Sequence, residues 1–200
     1  MKTLLPLLRS ASLTALLALA ACGGEAPADK DPEAATTRPS VEGGAVPEAA
    51  VRADAPRLTL MGDGLMIGTG EGTTLPFGMA QDAAIVAMRQ ARGMPQITRN
   101  AECGVGTMDS AKFGPVTLNF TDGKLTGWHV TEGGNAVTVD GMSPGLKLDD
   151  VRSERSVEMI DSTLDGEFTY GLPDGTVIGG FAAADGRITS LHTGETCFFR

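Results

Sequence analysis

Two stretches 63 residues apart restrict this chain more than anything else in it. "TDGKLTGWHV" at 121–130 aligns without gaps on "ADGRITSLHT" at 184–193, matching Asp122 with Asp185, Gly123 with Gly186, Lys124 with Arg187, Leu125 with Ile188, Thr126 with Thr189 and His129 with His192. The same offset lays the Gly-Met pair at 78 and 79 over the one at 141 and 142. A match at both ends of such a period reads as two copies of one supersecondary unit. Two copies are too few for a solenoid, and each is too short to be an independent domain. The expected class is therefore α+β, with two tandem helix-plus-antiparallel-sheet repeats, at about 74–136 and 137–200, forming one domain over 57–200.

Local patterns fill in the units. Ala84, Ile85, Met88 and Ala91 lie along one face of a helix predicted near 80–92, with Gly93 as its stop and Pro95 just beyond. Strands follow at about 114–120 and 124–131, joined across Asp122 and Gly123. The second unit offers a shorter helix near 147–154 and strands at about 156–160, 166–170, 176–183 and 187–193. Its helix start is open: either Gly141, at the offset of 63, or Gly145, at 67, answers to Gly78. "RLTLMGDGLMIG" reads as a short hairpin or edge strand ahead of both units.

The hairpin decides the side of Trp128, the only tryptophan. A type I′ turn at Asp122 and Gly123 pairs Phe120 with Leu125 and turns the ring away from the Val116, Leu118 and Phe120 face; a type I turn with a glycine bulge buries it. Leu191 at the equivalent position in the second unit favours the core.

The N-terminus carries an address. Lys2 and Arg9 precede an apolar run at 11–21, too short to span a bilayer, and small Ala20 and Ala21 end it. Leu19, Ala20, Ala21 and Cys22 resemble the lipobox of bacterial lipoproteins, which implies a signal peptide at 1–21 and an acylated Cys22 that anchors the mature chain to a membrane. Gly23, where aspartate would resemble an inner-membrane retention signal, points to the outer membrane, facing the periplasm. Residues 22–56 then form the lipidated cysteine and a disordered linker: 23–56 hold 18 Ala, Pro or Gly among 34 residues, with seven acids and three bases. As a flexible coil this linker reaches about 30–35 Å.

Loss of the signal removes two bases and no acid, leaving 14 Lys and Arg against 25 Asp and Glu. That excess, without a basic cluster, excludes nucleic acid as an expected partner. With Cys22 lipidated, Cys103 and Cys197 remain, and an even pair in an exported chain reads as one disulfide. The alternative makes Cys103 a nucleophile beside His129 or His192.

A Gly-Met opening onto a short helix, then strands with an "F-x-DGKL" hairpin, twice over and behind a lipobox, resembles two SmpA/OmlA (BamE-like) units, the architecture also seen in beta-lactamase inhibitory protein. The motifs "LPFGM", "NAECGVG", "GKLTGWHV", "GEFTYG" and "GETCFFR" are similar to those of a group of small alphaproteobacterial lipoproteins, sometimes labelled aspartate-semialdehyde dehydrogenase. The resemblance implies protein binding in the envelope and assigns no contact residue.

The dehydrogenase label does not fit the chemistry. "GTGEGTTLPFG" at 68–78 lacks the GxGxxG spacing, and Pro76 stands where the helix should open. No catalytic residue, metal ligand set or cofactor is expected. His129 and His192 occupy equivalent positions, so inheritance explains both, and with Trp128 they are candidates for surface or core contacts. The reading is a non-catalytic binding or scaffold lipoprotein with an envelope protein partner; the alternative is an envelope hydrolase or redox enzyme with an unrecognised site.

Overall fold

The computed structural model describes residues 55–198. The predicted signal segment at 1–21, Cys22 and the linker as far as residue 54 lie outside them. The described chain runs β1 (Leu58–Met61), β2 (Gly64–Ile67), β3 (Thr73–Pro76), α1 (Gln81–Arg92), β4 (Gln96–Asn100), β5 (Met108–Phe113), β6 (Val116–Thr121), β7 (Lys124–Thr131), β8 (Ala136–Thr138), α2 (Leu148–Arg152), β9 (Val157–Met159), β10 (Glu167–Gly171), β11 (Val177–Ala182) and β12 (Ile188–Gly194).

The expected α+β class with two tandem helix-plus-sheet repeats is corrected by this architecture. The described residues are 44% strand and 12% helix, in two sheets with only two helices, so the fold is mostly β. Strands from both segments merge into one antiparallel sheet of eight, ordered β4-β5-β6-β7-β12-β11-β10-β9. A second sheet of four, β3-β2-β1-β8, is built largely from residues the repeat reading left out, with β8 parallel to β1. As expected, the second helix is the shorter: α1 has 12 residues and α2 five.

The sequence match marks something local. Gly78 N–H donates to Leu125 O, and Gly145 N–H donates to Ile188 O; Gln81 N–H donates to Gly123 O, and Leu148 N–H to Gly186 O. Each hairpin end is thus clamped by the chain leading into a helix. Gly145, at the offset of 67, is the residue that takes the place of Gly78.

Trp128 shows how the hairpin chooses a face. Asp122 and Gly123 both have positive φ, 51° and 71°, the signature of a type I′ turn, and Phe120 pairs with Leu125. The register then shifts: Asn119 pairs with Gly127, leaving Thr126 as an extra residue on β7. That bulge puts Leu125, Trp128 and Val130 on one face, all fully buried. The turn type of one alternative and the burial of the other occur together.

Trp128 lies beneath the β1–β2 hairpin, and its Nε1–H donates to Met61 O at 3.0 Å and Gly64 O at 2.9 Å. Around it Leu58, Leu60, Leu65 and Leu75 of the small sheet pack with Leu118, Phe120 and Val130 of the large one, and α1 contributes Ala84 and Met88. Gly93, at φ 86°, ends α1 with its N–H on Arg89 O.

Truncating Trp128 removes both the core volume and the donor to two carbonyls. Trp128→Ala is expected to lower unfolding free energy by about 3–5 kcal/mol. Urea denaturation followed by circular dichroism checks this, and a loss below about 1 kcal/mol would count against a joint between the sheets at this residue.

Candidate functional site

The opposite face of the eight-stranded sheet is where polar and aromatic side chains gather. Strand alternation sends them there: the residues flanking Trp128 and Val130 on β7 are His129 and Thr131, and Thr117 pairs with His129 as Val116 pairs with Val130. Further out, Thr98 pairs with Ser110 and Gln96 with Lys112, all on the side away from the core.

His129 and His192 are direct cross-strand partners where β7 meets β12. His192 lies over Gly179 of β11: a Cβ there would stand 2.4 Å from its Nε2, so only glycine leaves room for the ring. The imidazole stacks on Phe181, centroids 5.4 Å apart at 27°. Phe198 closes the group edge-on, 5.8 Å from His129, 4.8 Å from His192 and 5.1 Å from Phe181.

Phe198 reaches this position because the chain after β12 turns back across the sheet. Gly194 has φ 71°, and Glu195 N–H then donates to Thr126 O at 2.9 Å. Asn119 Nδ2 donates to Glu195 O at 3.0 Å, and Thr121 Oγ1 to Glu195 Oε2 at 2.5 Å. The crossing point is Gly127, where a Cβ would lie 2.2 Å from Glu195 O. The segment Glu195–Phe198 is a strap lying flat on the sheet.

The strap separates two depressions. One, about 300 Å³, is lined by hydroxyls and carboxamides, among them Thr98, Ser110, Thr117 and Asn119, together with Lys112 and His129. The other, about 990 Å³, runs from Phe181 and Thr189 to residues 163–166. Cys197 and Phe198 border both. A third depression of about 440 Å³ beside α1, lined by Val86, Arg89, Gln90, Gly93 and Met94, gathers no comparable set.

The predicted site residues fall as follows. Cys22 lies outside the described residues. Trp128 belongs to the core. His129 and His192 share the face just described. Cys103 is buried, Cys197 is half-buried in the strap, and the two are free thiols joined by a hydrogen bond, with Asn100 Nδ2 also donating to Cys197 Sγ at 3.3 Å. The bond with Cys103, with burial, pushes the Cys197 thiol up from its ordinary value, away from an activated nucleophile. Among the described residues no group of three or more His, Cys, Asp or Glu could hold a metal ion. Phe181, Phe198 and Asn119 were not anticipated; Phe198 stands in "GETCFFR", which supplied a resemblance and a cysteine but no contact residue.

A separate titratable cluster is structural. Asp140 accepts from Thr138 Oγ1 and Arg155 Nε, and Tyr170 Oη donates to it at 3.4 Å. Burial alone would raise the Asp140 carboxyl, but the bonds from Thr138 and Arg155 and the Arg155 charge hold it below the usual range. This ties the chain after β8 to the end of α2 and to β10.

Compared with family models, curated proteins and solved structures, the chain matches none.

Two outcomes are expected of this face. Burial, with Lys112 adding to it, holds His129 below the ordinary imidazole range. Its folded-state pKa is therefore below its unfolded one, so its contribution to stability is complete above about pH 6.5 and is lost as pH falls through the lower value. Urea midpoints at about pH 7.5 and pH 5 should drop more for the wild type than for His129→Gln; equal drops would contradict the assignment. Gly127→Ala, where alanine would ordinarily favour a strand, should instead destabilise by about 1–3 kcal/mol through the clash with Glu195 O, read by thermal denaturation.

Proposed function

We propose that this chain is a lipoprotein of the cell envelope, anchored to the outer membrane through acylated Cys22, whose folded part is a non-catalytic binding or scaffold module. We place its binding surface on the face of the eight-stranded sheet crossed by the strap. The observation that carries this reading is the face itself. It gathers hydroxyls, carboxamides, two imidazoles and two phenyl rings over the middle of the sheet, between two depressions. The larger depression, about 990 Å³ and bordered by the rings of Phe181 and Phe198, has the size of pockets that take ligands. A signal, a lipobox and a long polar linker are what a tethered module needs to reach a partner away from the lipid surface.

The test is capture from crosslinked envelopes with three forms of the full chain: wild type, Cys22→Ala, which cannot be lipidated, and Thr117→Arg, which places a long cation at the centre of the face. A protein captured in stoichiometric amount by the wild type, lost with Thr117→Arg and reduced with Cys22→Ala, is the expected result. Equal capture by wild type and Thr117→Arg would move the binding surface elsewhere. Capture of nothing above background by the wild type would overturn protein binding.

A further inference from the structure

The strap is more than the end of a strand. We propose that Glu195–Phe198 is a latched cover: Phe198 occupies an aromatic slot that a partner's aromatic side chain would otherwise fill, and thiol–disulfide exchange between Cys103 and Cys197 sets whether the cover can leave. The consequence for binding rests on the reading of this face as the partner site.

Three features carry the inference. First, the slot is formed by residues from three central strands, His129 of β7, His192 of β12 and Phe181 of β11, and Phe198 meets all three rings edge-on. An edge-to-face pocket of imidazoles and phenyl suits an aromatic side chain from any chain that reaches it. Second, the strap's polar anchors stop early. Glu195 is held by Thr126, Asn119 and Thr121, but beyond it Asn100 and Cys103 hold only Cys197. Cys197 is therefore the pivot on which the placement of Phe198 depends. Third, the same two residues border both depressions, so lifting them joins the polar groove beside His129 to the larger one beside Phe181.

The chemistry balances with an external disulfide. The Cys197 thiolate, on the more accessible of the two sulfurs, attacks a disulfide-carrying oxidoreductase, forming a mixed disulfide and expelling one thiolate. The Cys103 thiolate then attacks the Cys197 sulfur, forming the Cys103–Cys197 bond and expelling the second. Two protein thiols become one disulfide, and the external disulfide, taking two electrons and two protons, becomes a dithiol. A dithiol oxidoreductase runs the steps in reverse and releases the latch. The hydrogen bond between the thiols, with burial, raises the Cys197 pKa and so lowers the share of thiolate that starts the exchange.

The test uses the full mature chain as Cys22→Ala, with oxidised or reduced dithiothreitol as the exchange partner. Free thiols are titrated and the Cε1–H resonances of His129 and His192 are followed by NMR. Oxidised protein should titrate no thiol and show both imidazoles displaced by the Phe198 ring current. Reduction should expose two thiols and, with Phe198 still seated as in the two-thiol form, let the strap open and close, broadening both resonances and drawing them part of the way toward their positions in Phe198→Ala. Cys197→Ser should show these reduced-form resonances with or without reductant. A synthetic heptapeptide GETSFFR, copying the strap with serine for cysteine, should shift the histidine resonances of the reduced and Phe198→Ala proteins and leave the oxidised wild type unmoved. Two free thiols after oxidation would overturn the latch, as would histidine resonances indifferent to reduction. A peptide without effect on Phe198→Ala would overturn the slot. Failure of the face as a partner site reads out separately: a latch that behaves as stated beside capture indifferent to Thr117→Arg removes the binding surface and leaves the latch.

Discussion

The indole of Trp128 is the joint of the molecule. It is fully buried, and its single donor serves two carbonyls of the β1–β2 hairpin, one at the end of β1 and one at the start of β2. A four-stranded sheet of short strands has little to hold it to a neighbour except its apolar face, and a buried carbonyl without a partner is unfavourable by about 1–3 kcal/mol. The indole meets both needs, filling the space between the sheets and satisfying the turn that caps them. Everything on the far side of the large sheet depends on it, because the bulge that turns Trp128 inward also fixes which residues of β7 turn outward. His129 is on the strap face only because Thr126 is an extra residue.

The strap follows from that arrangement. Gly127, the residue before Trp128, lies where the returning chain needs a bare backbone, and Asn119, its partner across the bulge, supplies the amide that receives Glu195. Bulge, crossing point and anchor are thus one local feature. The histidines owe their proximity to the pairing of β7 with β12, and the pocket around them to Gly179. None of these residues is unusual in kind. What makes a site of them is the place each holds in the register.

Much of the local structure was legible in the residues. Asp-Gly at 122 and 123 specifies a tight hairpin, Gly93 specifies a helix stop, and the alternation of Val116, Leu118 and Phe120 specifies a half-buried strand; each of these local signals has its counterpart in the structure. The repeat was over-extended. Conserved spacing between two hairpins reflects how each is clamped by the chain ahead of it, and that clamp is satisfied whether the units stand apart or merge into one sheet. The β1–β2 hairpin was legible in "RLTLMGDGLMIG", but the rest of the small sheet was not, because strands of three and four residues carry too few alternations to register as a period, and because β8 pairs with a strand more than 70 residues earlier. The bulge escaped because an extra residue has no signature in a sequence that is apolar on both sides of it. Phe198 escaped because nothing local in "GETCFFR" says where an aromatic after β12 comes to rest; its place is set by the fold.

One feature of the small sheet bears on how firmly β1 is held. β1 lies between β2 and β8, bonded along both edges, and the described chain begins just ahead of it at Ala55, with Asn135 Nδ2 on Ala55 O and Arg92 Nη2 on Pro56 O. β1 is therefore bonded along both edges and pinned just ahead of its start, so it leaves the sheet only when two ladders and those side-chain bonds open together.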